Sequence, residues 1–173
     1  MKTMHKMALI AAIAFGTAST IQAQPAAGEW EITLGGGGIA DRDFNNGGFN
    51  VDGSLGYYFT DNWEMSLRQD MGYTNPDVGG TLWSGSSRIA GDYNFILGKF
   101  VPYIGANIGL SYGTHRSTVG EAGPEAGIKY YILDKTFAFA QGEYQFFFDR
   151  ANHFGDQARH GQWVFSIGLG LNL

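Results

Sequence analysis

Two arginines and three carboxylates stand at matching places in five short stretches of this chain: Asp52, Arg68, Arg88, Glu125 and Glu143. Guanidinium and carboxylate groups can make bidentate, charge-assisted hydrogen bonds. Counted from the nearest tight turn, each of the five lies roughly five to eight residues along, at about 3.3 Å per residue. That spacing predicts a single layer of facing charges. Glu31, Glu64, Asp70, Asp92 and Lys129 follow the same phase, which gives seven carboxylates to three bases.

Other residue types with chemical potential are less well placed. Ser166, His160 and Asp156 are of the kinds a nucleophile, a base and an orienting group require. Six residues of extended strand separate Ser166 from His160 by about 20 Å, too far for contact. The chain is therefore expected not to be an enzyme. His115, His153 and His160, with Asp149, Asp156 and Arg159 nearby, repeat no short ligand spacing, so no metal site is expected. The run Gly35-Gly36-Gly37-Gly38 would need a helix start behind it to cradle phosphate. No helical period follows, and a flexible strand exit is the better account. No catalytic, cofactor-binding or metal residue is assigned.

What must position the charges is strict alternation. Eight stretches read at period 2: Glu29–Gly37, Phe49–Phe59, Trp63–Tyr73, Leu82–Phe95, Phe100–Tyr112, Gly123–Ile132, Thr136–Phe148 and a last strand ending at Leu173. One phase of each is apolar and holds no Asp, Glu, Lys or Arg, while the other carries the ten charges. A soluble barrel would reverse this, with its charges outside. A closed barrel in lipid satisfies every backbone hydrogen bond without water. The fold class predicted is all-β: an eight-stranded antiparallel up-and-down transmembrane β-barrel. Connections after the odd strands read as long and polar, those after the even strands as short, which is the outer-membrane pattern. Trp30, Phe59, Trp63 and Tyr93 would girdle one end, and Phe49, Tyr112, Phe148 and Trp163 the other. The inward aromatics Tyr58, Tyr103, Tyr131, Phe137 and Phe139 would fill the bore further. Eight strands leave an interior that side chains can fill.

Composition agrees. Glycine is 27 of 173 residues and aromatics are 15%, a balance that suits a small, curved barrel. There are no cysteines, so disulfides and thiolate chemistry are excluded. Residues 1–23 read as a signal peptide: Lys2 and Lys6, the apolar run Met7 to Phe15, then Ile21-Gln22-Ala23 as the cleavage site. Residues 24–173 then form the barrel domain. Loss of Lys2 and Lys6 takes the net charge from −5 to −7, which disfavours nucleic acid as a partner.

The final stretch sets Ile167, Leu169, Leu171 and Leu173 on one face and Ser166, Gly168, Gly170 and Asn172 on the other. With Ser166, Gly168, Leu171 and Leu173 at its key positions, it resembles the C-terminal strand of outer-membrane β-barrel proteins of Gram-negative bacteria. Two further stretches, Gly56-Tyr57-Tyr58-Phe59-Thr60-Asp61-Asn62-Trp63-Glu64 and Pro102-Tyr103-Ile104-Gly105-Ala106, are similar to the outer-membrane-protein-A-like barrels. The resemblance covers the whole chain after Ala23, without that family's periplasmic domain. It implies residence in the cell outer membrane. It makes Ser166, Gly168, Leu171 and Leu173 the signal read by the barrel-assembly machinery, after passage with periplasmic chaperones. It also implies a lumen plugged by the charged residues. The expected role is structural or interactive: a monomer without cofactor, surrounded by lipid and lipopolysaccharide, acting through its outer loops. The alternative is a narrow porin-like channel or carrier for small solutes. A lipid-modifying enzyme is less favoured.

Overall fold

The computed structural model describes residues 24–41, 47–74, 82–114, 116–148 and 161–173. The expected signal peptide lies outside the described residues, and so do His115, Asp149, His153, Asp156, Arg159 and His160. Eight strands follow in order: β1 (Trp30–Asp41), β2 (Gly47–Tyr58), β3 (Trp63–Thr74), β4 (Leu82–Asn94), β5 (Phe100–Gly113), β6 (Arg116–Tyr131), β7 (Thr136–Phe148) and β8 (Gly161–Asn172). Each pairs antiparallel with its neighbours in sequence, and β8 returns to β1 to close a barrel. Closure runs to the last residue. Glu31 pairs with Asn172, and the Leu173 N–H donates to the Trp30 carbonyl at 2.8 Å.

Alternation decides which way each side chain points. Leu34, Leu67, Ile89, Ile108, Ile167 and Leu169 are all more than half exposed on the outer wall. Their neighbours Glu64, Arg88, Asp92 and Glu143 are buried in the bore. The inward aromatics sit where the alternation puts them, with Tyr58, Tyr131 and Phe137 fully buried. Two bands of rings flank the apolar wall. At the short-turn end, Trp30 packs on Tyr57 at 5.0 Å, Trp63 on Tyr93 at 5.2 Å and Phe100 on Tyr130 at 4.8 Å. At the other end Phe49 meets Tyr73 at 5.5 Å and Tyr144 meets Trp163 at 4.9 Å. Such girdles mark the two interfaces of a membrane barrel.

One connection differs from expectation. The link after β5 is short, because β6 begins at Arg116 rather than Gly123. Gly120, Gly123 and Pro124 interrupt the apolar pattern without ending the strand. The β6–β7 ladder skips Gly123 and Pro124 and resumes at Glu125, at the place where proline has no N–H to give. Gly168 and Gly170 have a packing role in β8. A side chain on Gly168 would meet Phe139, and one on Gly170 would meet Phe137. The two inward rings lie over the bare backbone of β8.

Candidate functional site

Three cations hold the described part of the bore, each bonded to acids from other strands. Arg68 on β3 reaches Asp92 on β4 at 2.5 Å and Glu125 on β6 at 2.6 Å. Arg88 on β4 pairs with Asp70 on β3 and Glu143 on β7, and stands 3.6 Å from Glu121 on β6. Asn107 on β5 links the two groups: its Nδ2 donates to Glu125 at 2.5 Å and to Glu143 at 3.1 Å. Hydrogen bonds with an ionised donor or acceptor are the strong ones.

Nearer the short turns, Lys129 forms a separate centre. Its Nζ donates to both Glu31 oxygens at 2.8 and 2.7 Å, to Glu64 at 2.8 Å and to the Tyr58 hydroxyl at 2.7 Å. Tyr58 in turn donates to Glu31 at 2.7 Å. The ammonium also lies 5.3 to 5.4 Å from the ring centroids of Tyr58, Tyr103 and Phe137, within cation–π range. Val101, Tyr131, Phe137 and Phe139 pack together at this end.

Of the five residues expected in one layer, four meet in pairs: Arg68 with Glu125 and Arg88 with Glu143. Asp52 makes no ion pair among the described residues; Asn50 Nδ2 donates to it at 3.4 Å. Asp70 and Asp92, expected only to share the inward phase, are direct partners of the arginines. Strands in a barrel tilt and stagger, so equal counts from neighbouring turns do not give equal heights. Glu121 escaped the sequence pattern because its stretch of β6 read as loop. Its signal is its phase: it shares odd numbering with Glu125 and Lys129.

The terminal residues divide as their alternation requires. Ser166 is buried in the bore and accepts from Asn50 Nδ2 at 3.4 Å. Gly168 faces Phe139, while Leu171 and Leu173 are exposed on the outer wall.

Among the described residues the wall carries a polar group at mid-strand that hydropathy passed over. Gln69 on β3 is exposed among Leu67 and Met71. Its Nε2 donates to the Tyr112 hydroxyl at 2.8 Å, and its Oε1 accepts from Ser87 at 2.6 Å. Ser87 and Tyr112 are 3.1 Å apart, so with Ser87 donating to Gln69, Tyr112 donates to Ser87. The second amide hydrogen goes to the Asp70 carbonyl at 3.1 Å. Every donor of the trio is used, which is the condition for polar groups facing hydrocarbon.

A serine–histidine pair closer than Ser166 and His160 occurs in the sequence: His115 and Ser117, on either side of Arg116. His115 and the Ser117 side chain lie outside the described residues.

Comparison with known proteins fits this geometry. Residues 4–173 match the OprF membrane domain family. The chain is 26% identical over 138 residues to outer membrane porin F of Pseudomonas aeruginosa, covering 69% of this chain and 37% of that protein. Against outer membrane porin F of Pseudomonas fluorescens it is 27% identical over 147 residues, covering 72% and 40%. It thus spans about two fifths of the length of these curated relatives. Among solved structures it resembles Neisserial surface protein A, with a TM-score of 0.68 at 14% identity over 87% of this chain and 100% of that one. It also resembles the N-terminal β-barrel domain of Pseudomonas aeruginosa OprF, with a TM-score of 0.56 at 24% identity over 85% and 98%. At these identities the structural likeness shows a shared fold. The chain belongs to the OprF membrane domain family, an outer-membrane-protein-A-like barrel of eight strands in the Gram-negative outer membrane.

Proposed function

We propose that this is a plugged barrel without enzymatic activity, whose role is structural or interactive and is exercised through its loop end. The observation that carries this is the set of ion pairs across the bore. Each of the three cations joins acids from at least two other strands, and Arg88, Glu121, Glu125, Lys129 and Glu143 are all buried. Two small cavities lie in the described bore, each of about 30 Å3. A water molecule needs roughly 10–15 Å3 by this measure, so each has room for a couple of waters and no sugar or amino acid. The connections 42–46, 75–81 and 149–160 then offer surface to lipopolysaccharide or to another cell. Insertion by the barrel-assembly machinery, with chaperone delivery, is part of the same proposal and rests on the terminal strand.

A narrow channel is the second reading. It is favoured by the acid-rich bore, with Glu121 making eight carboxylates against three cations, and by the word porin in the relatives' names. Sealed vesicles containing the refolded barrel separate the two. The plugged barrel should leave them tight to small sugars and amino acids. Rapid swelling in either would overturn the plug in favour of the channel.

A further inference from the structure

We propose that the loop-side half of the lumen is a binding site for one small ammonium-class cation, seated above Arg88. The charge balance there is uneven. A single guanidinium faces Asp70, Glu121 and Glu143, and all four residues are buried. Uncompensated charge in such surroundings is costly. Glu143 is supplied with donors by Gln145 at 2.5 Å, by Asn107 at 3.1 Å and by Arg88. Glu121 is not: one oxygen accepts from Ser86, and the other has no hydrogen-bond partner.

On the loop side of this layer lies the second small cavity, bordered by Asn50, Asp70, Ser84, Ser86, Ser111 and Gln145. Asn50, which borders that space, is 2% exposed, and its carbonyl Oδ1 has no hydrogen-bond partner. Asn50 Oδ1 is an acceptor, and the carboxyl of Asp70 borders the same space, so an occupant that donates hydrogen bonds fits it. One guanidinium against three carboxyls is a formal excess of acid, which favours a positive occupant. A volume of about 30 Å3 suits a cation about the size of ammonium or methylammonium. Among the described residues no group of three or more carboxylates or histidines is arranged to hold a metal ion. That favours an occupant bound by hydrogen bonds to one bound by metal coordination. The Lys129 centre is the same chemistry made with the chain's own ammonium, held by Glu31, Glu64 and Tyr58. In the loop-side half no lysine supplies that group.

The test uses the whole barrel, refolded in lipid nanodiscs and titrated with methylammonium chloride at constant ionic strength. Side-chain amide NMR signals of Asn50 and Gln145 report the site. They should shift saturably with methylammonium and not with tetramethylammonium, which is too large. Asp70→Asn removes one charge-assisted bond and should weaken binding about tenfold or more. Asp134→Asn, the same change of charge at an exposed turn, should leave it intact. Ser111→Val fills the cavity without touching an ion pair and should abolish the response, so a poorly folding Asp70→Asn would still leave the idea exposed to refutation. A linear response, an equal response to tetramethylammonium, or full affinity in Ser111→Val would overturn the site. A barrel that conducts would overturn the plug but would not affect this binding result.

Discussion

Residues that alternate along one strand of this barrel live in two different surroundings, and the two polar groupings at mid-strand show what each demands. On the wall, Gln69, Ser87 and Tyr112 form a neutral ring in which each donor has an acceptor. In the bore, Arg88 gathers three carboxylates and leaves acid in excess. Lipid accepts polarity only when it is uncharged and closed on itself. The bore accepts charge because partners from four strands converge on it. The wall grouping is therefore dispensable, and the bore grouping is bound into the stability of the barrel.

The sharpest way to break that contrast is Arg88→Ala. It strands Asp70, Glu121 and Glu143 without their cation, and losing one partner of a buried pair costs about 3–5 kcal/mol. Urea unfolding in lipid vesicles should show the loss as a large fall in midpoint; an unchanged midpoint would mean that water screens each charge separately. Lys129→Met should come next, at about 3 kcal/mol, because Tyr58 still donates to Glu31 and the new side chain fills the aromatic pocket.

Leu173→Asp probes the wall at its end. A charge near the interface costs only about 0–1 kcal/mol, so the refolded variant should unfold close to wild type. Its level in the outer membrane should nonetheless collapse, since the terminal strand is then misread by the insertion machinery. Normal levels in cells would remove the insertion role from Leu173. The smallest effect is expected from Gln69→Leu. Ser87 and Tyr112 keep each other as partners, and the shift in stability should stay under about 1 kcal/mol, neutral or favourable. A loss comparable to that of Arg88→Ala would show that the wall ring is structural and would erase the contrast.

The wall was legible because lipid reads each side chain one at a time. Trp30, Ile32 and Leu34 announce β1 without reference to any other strand, and the terminal Ile167, Leu169 and Leu171 announce β8. The bore was legible only in part. Which residues point inward follows from phase, but which of them meet depends on tilt and register, and these are relations between strands. Counting from turns put Arg68, Arg88, Glu125 and Glu143 in one layer with Asp52 but paired none of them, and it left out Asp92 and Asp70, which long guanidinium arms reach across neighbouring strands. Glu121 was hidden because glycine and proline at 120, 123 and 124 carry no apolar signal. The Gln69 ring needed three strands side by side before its logic could be seen.

The central claim is that ion pairs across the lumen close it, and single-channel current in planar bilayers tests this most directly. Wild type and Arg88→Ala should be compared in the same lipid and salt. The account predicts that wild type passes little or no steady current and that Arg88→Ala opens a measurable one. A large steady current through wild type, or equal currents through the two proteins, would contradict it.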